Sequence, residues 1–294
     1  MKSEEGFPQG EKRRKLIKDD AGKILGVQRK TREKRFAYPV YDSLLEPGPF
    51  IPNDPINDIQ NLGAFQHTFQ DVLPKGEVSL RRYIESSLAH RRGKAILVEC
   101  GGPARILSAD FSPGFLRKSV GITLAHVPDN NSLVESERRK HYEERGHEIL
   151  EGDILSPETY IELDKRLGGE KVDIIFERML NGLELVPNEP YTLAKVLQIW
   201  YGLLREGGML FAQVMEAGRA HKLVHMHNNA SRMHNLVVAW AAMIQKDYGS
   251  VIDIQCSPID SPNNVVRLRK LTGAPEKLPM LKHRTVRNIG IERQ

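Results

Sequence analysis

The chain has little cysteine, only Cys100 and Cys256 in 294 residues. Two are too few for a disulfide framework or a four-cysteine zinc site, and they fit a reducing compartment. No apolar run approaches the ~18 residues of a membrane helix. The first residues, with Glu4 and Glu5 ahead of any apolar stretch, are unlike a signal or transit peptide. These absences predict a cytoplasmic protein with no membrane span. Aromatics are sparse, at 6%, and there is no internal repeat or low-complexity block. What is present is ordinary globular usage, 40% hydrophobic, 28% charged and 24 glycines, in a chain long enough for one large or two small domains.

The net charge of +5 is unevenly distributed. Between Glu11 and Phe36 stand 11 basic and 4 acidic residues, and from Val265 to Gln294 stand 8 and 2. With −1 over residues 1–10, the stretch 37–264 carries −7. Basic ends on an acidic body suit an anionic partner such as RNA for residues 11–36 and 265–294, since each neutralised phosphate releases counterions. A solvated arm accounts for the same charge, because neither segment has interleaved aromatics or a nucleic-acid motif.

Residues 1–35 show no sustained apolar period, and prolines at 39, 47, 49, 52, 55 and 74 break up residues 37–74, which predicts irregular structure there. At Ser79 the pattern changes. Leu80, Tyr83, Ile84 and Leu88 fall on one helical face. Short apolar runs then recur at Ala95–Glu99, Val120–Leu124, His147–Leu150, Val172–Phe176 and Met209–Val214, with a helical face at Leu193, Val196, Leu197, Trp200, Leu203 and Leu204. Strands alternating with helices predict a parallel sheet. Near the end, Met233, Leu236, Val237, Trp240, Met243 and Ile244 mark a helix, and Val251–Gln255 and Asn264–Leu268 follow without another. That predicts an antiparallel hairpin closing the sheet.

The pieces that carry chemistry come in a fixed order. Val98-Glu99-Cys100-Gly101-Gly102-Pro103 is a buried strand entering a glycine turn, where the backbone can approach a ligand that a Cβ would exclude. Gly121-Ile122-Thr123-Leu124-Ala125, Glu151-Gly152-Asp153-Ile154-Leu155, Val172-Asp173-Ile174-Ile175-Phe176 and Leu203-Leu204-Arg205-Glu206-Gly207-Gly208 follow. This set resembles a class I S-adenosylmethionine-dependent methyltransferase over about Ser79 to Leu271. The resemblance implies an α/β fold with a Rossmann-like methyltransferase sheet, mostly parallel, a C-terminal antiparallel hairpin and helices on both faces. It implies S-adenosyl-L-methionine as cofactor, held by Glu99, Gly101, Gly102, Thr123, Asp153 and Ile154, with Glu99 at the methionine end and Asp153 at the adenine amino group. Read without it, Glu99 also fits a strand-end turn and Asp153 a helix N-cap. Pro103 and Arg105 stand where the family's second and third glycines usually are. The second strand ends on Thr123, with His126 and Asp129 beyond it, where an acidic residue usually grips the ribose.

Methyl transfer is an in-line displacement, so positioning supplies much of the catalysis, and a base serves only some acceptors. The loop after the fourth predicted strand faces the transferring methyl by resemblance. There Glu177 orients or deprotonates an acceptor, Arg178 holds an anion and Asn181 donates a hydrogen bond; a capped loop with a surface ion pair fits the same residues. The acceptor is a small molecule or RNA. The proline-containing signature of amino-directed nucleic-acid methyltransferases is absent, which argues against adenine N6 methylation. His221, His225, His227 and His234 cluster in sequence, as rim residues of an acceptor pocket, on a solvated helix, or as metal ligands; no metal site is assigned. Cys100 reads as a small buried residue beside the cofactor turn.

Four segments result: a basic arm at 1–36, a proline-rich lead-in at 37–78, a methyltransferase-like domain at 79–272 and a basic tail at 273–294. The working function is S-adenosylmethionine-dependent methyl transfer. Its rival is an inactive methyltransferase-fold protein that binds RNA or protein.

Overall fold

A computed structural model describes residues 62–101, 108, 110–123, 146–152, 154, 156–177, 190–214, 224–259, 261, 264–279 and 281. Among them run β1 (Ala95–Cys100), β2 (Leu116–Thr123), β3 (His147–Glu151), β4 (Val172–Glu177), β5 (Leu204–Gln213), β6 (Ile252–Cys256) and β7 (Val265–Lys270). They form one sheet in the order β3-β2-β1-β4-β5-β7-β6. Strands β1 to β5 pair in parallel, and β7 runs antiparallel to both β5 and β6. The fold is therefore the expected Rossmann-like α/β sheet, mostly parallel and closed by an antiparallel hairpin.

Central position explains composition. Every residue of β1 and of β4 is buried, because helices cover both faces, and such strands read as continuous apolar runs. Alternation splits the core in two. Ile96, Val98, Cys100, Ile175 and Ala212 face α3 (Pro157–Arg166), α4 (Pro190–Leu203) and α5 (Val224–Tyr248), which contribute Tyr160, Leu197, Trp200, Val237 and Trp240. Leu97, Ile174, Phe176, Met209 and Phe211 face α1 (Leu62–Phe69) and α2 (Leu80–Ser87).

Helix α2 begins where the sequence places it. Ser79 is its N-cap, and its hydroxyl accepts the Arg82 N–H at 3.2 Å. Helix α1 is a departure, because it lies within the stretch expected to be irregular. Leu62, Phe65 and Phe69 bury one face, and Phe65 meets Phe176 edge-on at 5.1 Å while Phe69 meets Phe211 at 5.5 Å. No proline falls inside the eight residues Leu62–Phe69, so the proline-rich character of the surroundings does not reach this two-turn helix.

At the amino edge of the sheet, Asp173 is fully buried and ties three elements together. It accepts the Ile96 N–H of β1 at 2.9 Å, pairs with Arg91 at 3.0 Å, and pairs with Arg205 of β5 at 3.0 Å.

The basic C-terminal segment starts inside this fold, which corrects part of its expected availability to an anionic partner. Arg267 of β7 is buried, donates to the Tyr83 hydroxyl and pairs with Asp253 at 3.0 Å. Lys270 is also buried, with its ammonium 4.6 Å from the centre of the Tyr201 ring. Both are engaged by the fold and unavailable to a phosphate. Beyond β7, Leu278 and Leu281 join the core on the α3–α5 face, and Trp240 donates to the Pro279 carbonyl at 2.9 Å. Lys282, Arg284, Arg287 and Arg293, like residues 11–36, lie outside the described residues.

Candidate functional site

Parallel strands all end at one edge, and that carboxyl edge is where open α/β sheets hold ligands. Register brings the predicted residues together there. Glu99 lies opposite Gly121 on one side and Phe176 on the other, Cys100 lies opposite Ile122 and Glu177, and Thr123 lies opposite Glu151. Gly101 leaves β1 with φ of 92°, a conformation that disfavours any side chain, and its N–H donates to the Ile122 carbonyl at 2.8 Å. The predicted glycine turn is thus a backbone requirement.

The turn after β3 is fixed from α3. Ile154 is buried, and its carbonyl accepts the Tyr160 hydroxyl at 2.6 Å; the same hydroxyl accepts the Trp200 indole N–H at 3.1 Å. Gly152 packs so closely on this helix that a Cβ would stand 2.6 Å from Thr159 Oγ1. Ser156 stands at the N-cap position of α3 without a side-chain capping hydrogen bond, and Asp153 lies outside the described residues.

Glu177 ends β4 with 1% of its surface exposed. Its Oε2 accepts the Gln213 N–H from the end of β5 at 2.9 Å, while Oε1 has no partner among the described residues. Burial, offset in part by the Gln213 amide, pushes its pKa up to about 8, since the low-dielectric interior disfavours the charged form. The alternative of a surface ion pair does not hold for this residue, which is buried and pairs with no described cation. Its register partner Cys100 is buried as expected, and burial first, then Glu177 and Glu99, push its thiol pKa well up. The sulfur is held as a thiol, the form that is a poor nucleophile.

Glu99, 3% exposed, alternates to the opposite face from Cys100. Two buried carboxyls therefore flank the Gly101 turn, Glu99 toward the Phe176 side and Glu177 toward the Cys100 side. Among the cofactor candidates, Glu99, Gly101 and the backbone of Thr123 stand at the carboxyl edge of neighbouring strands, and Ile154 is buried in the turn after β3. Gly102, Asp153, Arg178, Asn181 and the Thr123 side chain lie outside the described residues, as do Pro103, Arg105, His126 and Asp129.

His234 is described and departs from all three readings of the histidine cluster. It is fully buried on α5, and its Nε2–H donates to the Ser257 carbonyl at 3.0 Å. Burial lowers its pKa, so it sits as a neutral core residue linking α5 to the end of β6. His221 and the side chains of His225 and His227 are outside the described residues. Among the described residues no three His, Cys, Asp or Glu side chains converge as a metal site requires, and no helix is long and apolar enough to cross a membrane.

Sequence reasoning passed over Gln213 and Tyr160. Gln213 follows directly from the last residue of β5 to pair with β4, and its position at a strand's carboxyl end is the signal that was available. Tyr160 gives no comparable signal, because its role is a hydrogen bond back to a neighbouring turn.

No protein-family model matches the chain, nor does any curated protein. Solved structures do. An rRNA methylase from Streptococcus thermophilus is 14% identical, with 67% of this chain and 100% of that chain covered and a TM-score of 0.37. The N-methyltransferase NodS from Bradyrhizobium japonicum WM9 is 11% identical over 75% of this chain and 99% of that one, with a TM-score of 0.36. MycE methyltransferase of the mycinamycin biosynthetic pathway, solved with Mg and SAH, is 12% identical over 77% and 57%, also with a TM-score of 0.36. The strand order and the antiparallel β7 carry the fold assignment, and these likenesses accompany it.

Proposed function

We propose that this chain binds S-adenosyl-L-methionine at the carboxyl edge of its sheet and transfers the methyl group to an acceptor seated by the end of β4. The observation that supports this most is the pair of buried carboxyls, Glu99 and Glu177, on either side of a glycine turn with positive φ. A ligand approaching that backbone meets a buried carboxyl on each face, and Glu177 is the one that burial holds toward its protonated form. Among the described residues no group bonds Glu177 Oε1, which adds a buried hydrogen-bonding position.

When bound, the cofactor supplies an activated methyl on a positively charged sulfur. In this reading Gly101 and Gly102 allow close backbone approach, Glu99 receives the methionine end, and Asp153, Ile154 and the end of β2 at Thr123 hold the adenosine. Glu177, Arg178 and Asn181 face the acceptor, with Glu177 orienting it. The acceptor is a small molecule or RNA, and the basic arm at 11–36 suits the second. Pro103 and Arg105 in the turn favour, as a second reading, a binding protein that no longer turns over cofactor.

Incubation with methyl-tritiated S-adenosylmethionine and either total RNA or a deproteinised small-molecule extract tests the proposal. Label entering one fraction and lost in Glu177→Gln supports it. Tight cofactor binding without label in either fraction moves the assignment to the binding protein.

A further inference from the structure

Glu177 has an environment that its place at a strand end does not require. The carboxyl is buried and Oε2 takes one backbone N–H, while among the described residues Oε1 takes none and no cation pairs with it. The described groups around it are these. On β1, Cys100 shares its face and Glu99 stands one residue back on the other face; on β5, its register partner is Ala212. Helices α4 and α5 bring apolar side chains to this face, and the buried His234 of α5 is engaged by Ser257. Nothing described offsets a negative charge there except the Gln213 amide.

Register fixes how near a ligand of the glycine turn must come. Cys100 lies directly opposite Glu177, adjacent strands are about 4.8 Å apart, and Gly101 is the next residue. A positive charge resting on the Gly101 backbone is therefore about one strand spacing away from the end of β4, and charges near a buried carboxyl interact more strongly than in water.

We infer that Glu177 is a proton switch keyed to the charge of the bound cofactor, protonated when the site is empty or holds the neutral thioether product and ionised when it holds the sulfonium. The inference rests on the proposed cofactor reading. Binding of the cation breaks the carboxyl O–H, and the proton leaves to solvent. In transfer the C–S bond breaks, a bond from carbon to the acceptor atom forms, and the proton of an acceptor O–H or N–H passes to the Glu177 carboxylate. Charge balances, since the sulfonium and the carboxylate are neutralised together. The basicity of Glu177 is thus low before transfer and restored by it, which suits an acceptor that is neutral and has a proton to lose. An aliphatic ammonium acceptor does not fit this scheme, having no lone pair until it is deprotonated. The ordinary direction of this carboxyl, held protonated by burial, agrees with the resting state.

Calorimetric titration at pH 7 in two buffers of different ionisation enthalpy counts the protons exchanged per ligand. The α-amino group of each ligand makes the same contribution in the wild type and in Glu177→Gln, so it cancels between the two proteins. The expected difference is close to one extra proton released with S-adenosylmethionine, and it disappears in Glu177→Gln, which can still accept the Gln213 N–H. That variant is expected to bind S-adenosylmethionine about tenfold more weakly and the product unchanged, with its melting curve confirming the fold. Equal proton counts for the two ligands in the wild type overturn the inference and leave the cofactor reading standing, as does an undiminished difference in Glu177→Gln. Absence of binding by either ligand overturns the cofactor reading and the inference with it.

Discussion

Cys100 and Glu177 face each other across the last register position of β1 and β4, a thiol and a carboxyl buried side by side at the edge where the glycine turn begins. Burial is the larger cause of the raised pKa of both, and Glu177 adds to that of Cys100. The raised pKa of Glu177 makes stability depend on pH.

An unfolded Glu177 loses its proton near the ordinary carboxyl value of 4.5, whereas the folded residue keeps it until about 8. The stabilising preference for the protonated form is therefore complete below pH 4.5, falls as pH rises through the interval and is gone above 8. The ceiling on this effect is ~5 kcal/mol, at about 1.4 kcal/mol per pKa unit. Urea denaturation of the ligand-free protein at pH 5.5 and 8.5 should show the wild type losing stability at the higher pH and Glu177→Gln losing much less. Identical pH dependence in the two proteins removes Glu177 from its buried position.

Most of the sheet was legible because its central strands are buried on both faces. Ala95–Cys100 and Val172–Glu177 admit few polar residues, so apolar runs give them away. The start of β2 was not legible. Leu116–Ser119 includes Arg117 and Lys118, which reach Glu170 at 2.6 Å and Glu148 at 2.6 Å, so ion pairs at the sheet margin stand where hydrophobicity was sought. Helix α1 was hidden by the prolines around it, although Leu62, Phe65 and Phe69 carry a helical spacing. At the carboxyl edge, the places of Glu99, Gly101 and Glu177 follow from the apolar runs that precede them. The support that Gln213 gives Glu177 and Tyr160 gives Ile154 consists of hydrogen bonds that connect separate elements, and no local pattern announces those.

Tyr160 is predicted to matter to both stability and binding. Tyr160→Phe removes the donor to the Ile154 carbonyl and strands the buried Trp200 indole N–H, at a cost of about 1–3 kcal/mol. Thermal melts should register the loss, and affinity for S-adenosylmethionine should weaken because the turn after β3 is no longer held. Unchanged affinity in a destabilised variant means that this turn has no part in holding cofactor.

Gly101→Ala should separate the turn from the strand. A side chain at φ of 92° costs roughly 1–2 kcal/mol of strain, so the melting temperature should drop by a few degrees while the sheet remains. Affinity for the cofactor should fall at least tenfold, because the Cβ enters the space the backbone leaves open. Equal binding by this variant excludes the turn as the ligand's seat.

Asp173 supplies the contrasting case at the far edge of the sheet. Asp173→Asn leaves Arg91 and Arg205 without their shared carboxylate, and breaking a buried pair from one side costs about 3 kcal/mol. Chemical denaturation should show that loss, while the folded fraction binds S-adenosylmethionine with wild-type affinity. Impaired affinity would connect the amino edge to the site in a way that the separation of the two edges does not support.

The basic arm calls for a different measurement. Deleting residues 1–36 removes the +7 carried between Glu11 and Phe36. RNA affinity should fall and become less dependent on salt, since fewer counterions are released on binding. Filter binding at several salt concentrations reads both quantities, and an unchanged slope excludes the arm as the RNA contact.

The central claim is that the carboxyl edge beside Glu99, Gly101 and Glu177 holds S-adenosylmethionine, and equilibrium titration of the purified protein with that ligand and its demethylated product tests it most directly. The account predicts micromolar binding, on the order of −8 kcal/mol, weakened by Gly101→Ala and retained by Asp173→Asn. No detectable heat with either ligand, together with an unshifted melting temperature, contradicts it.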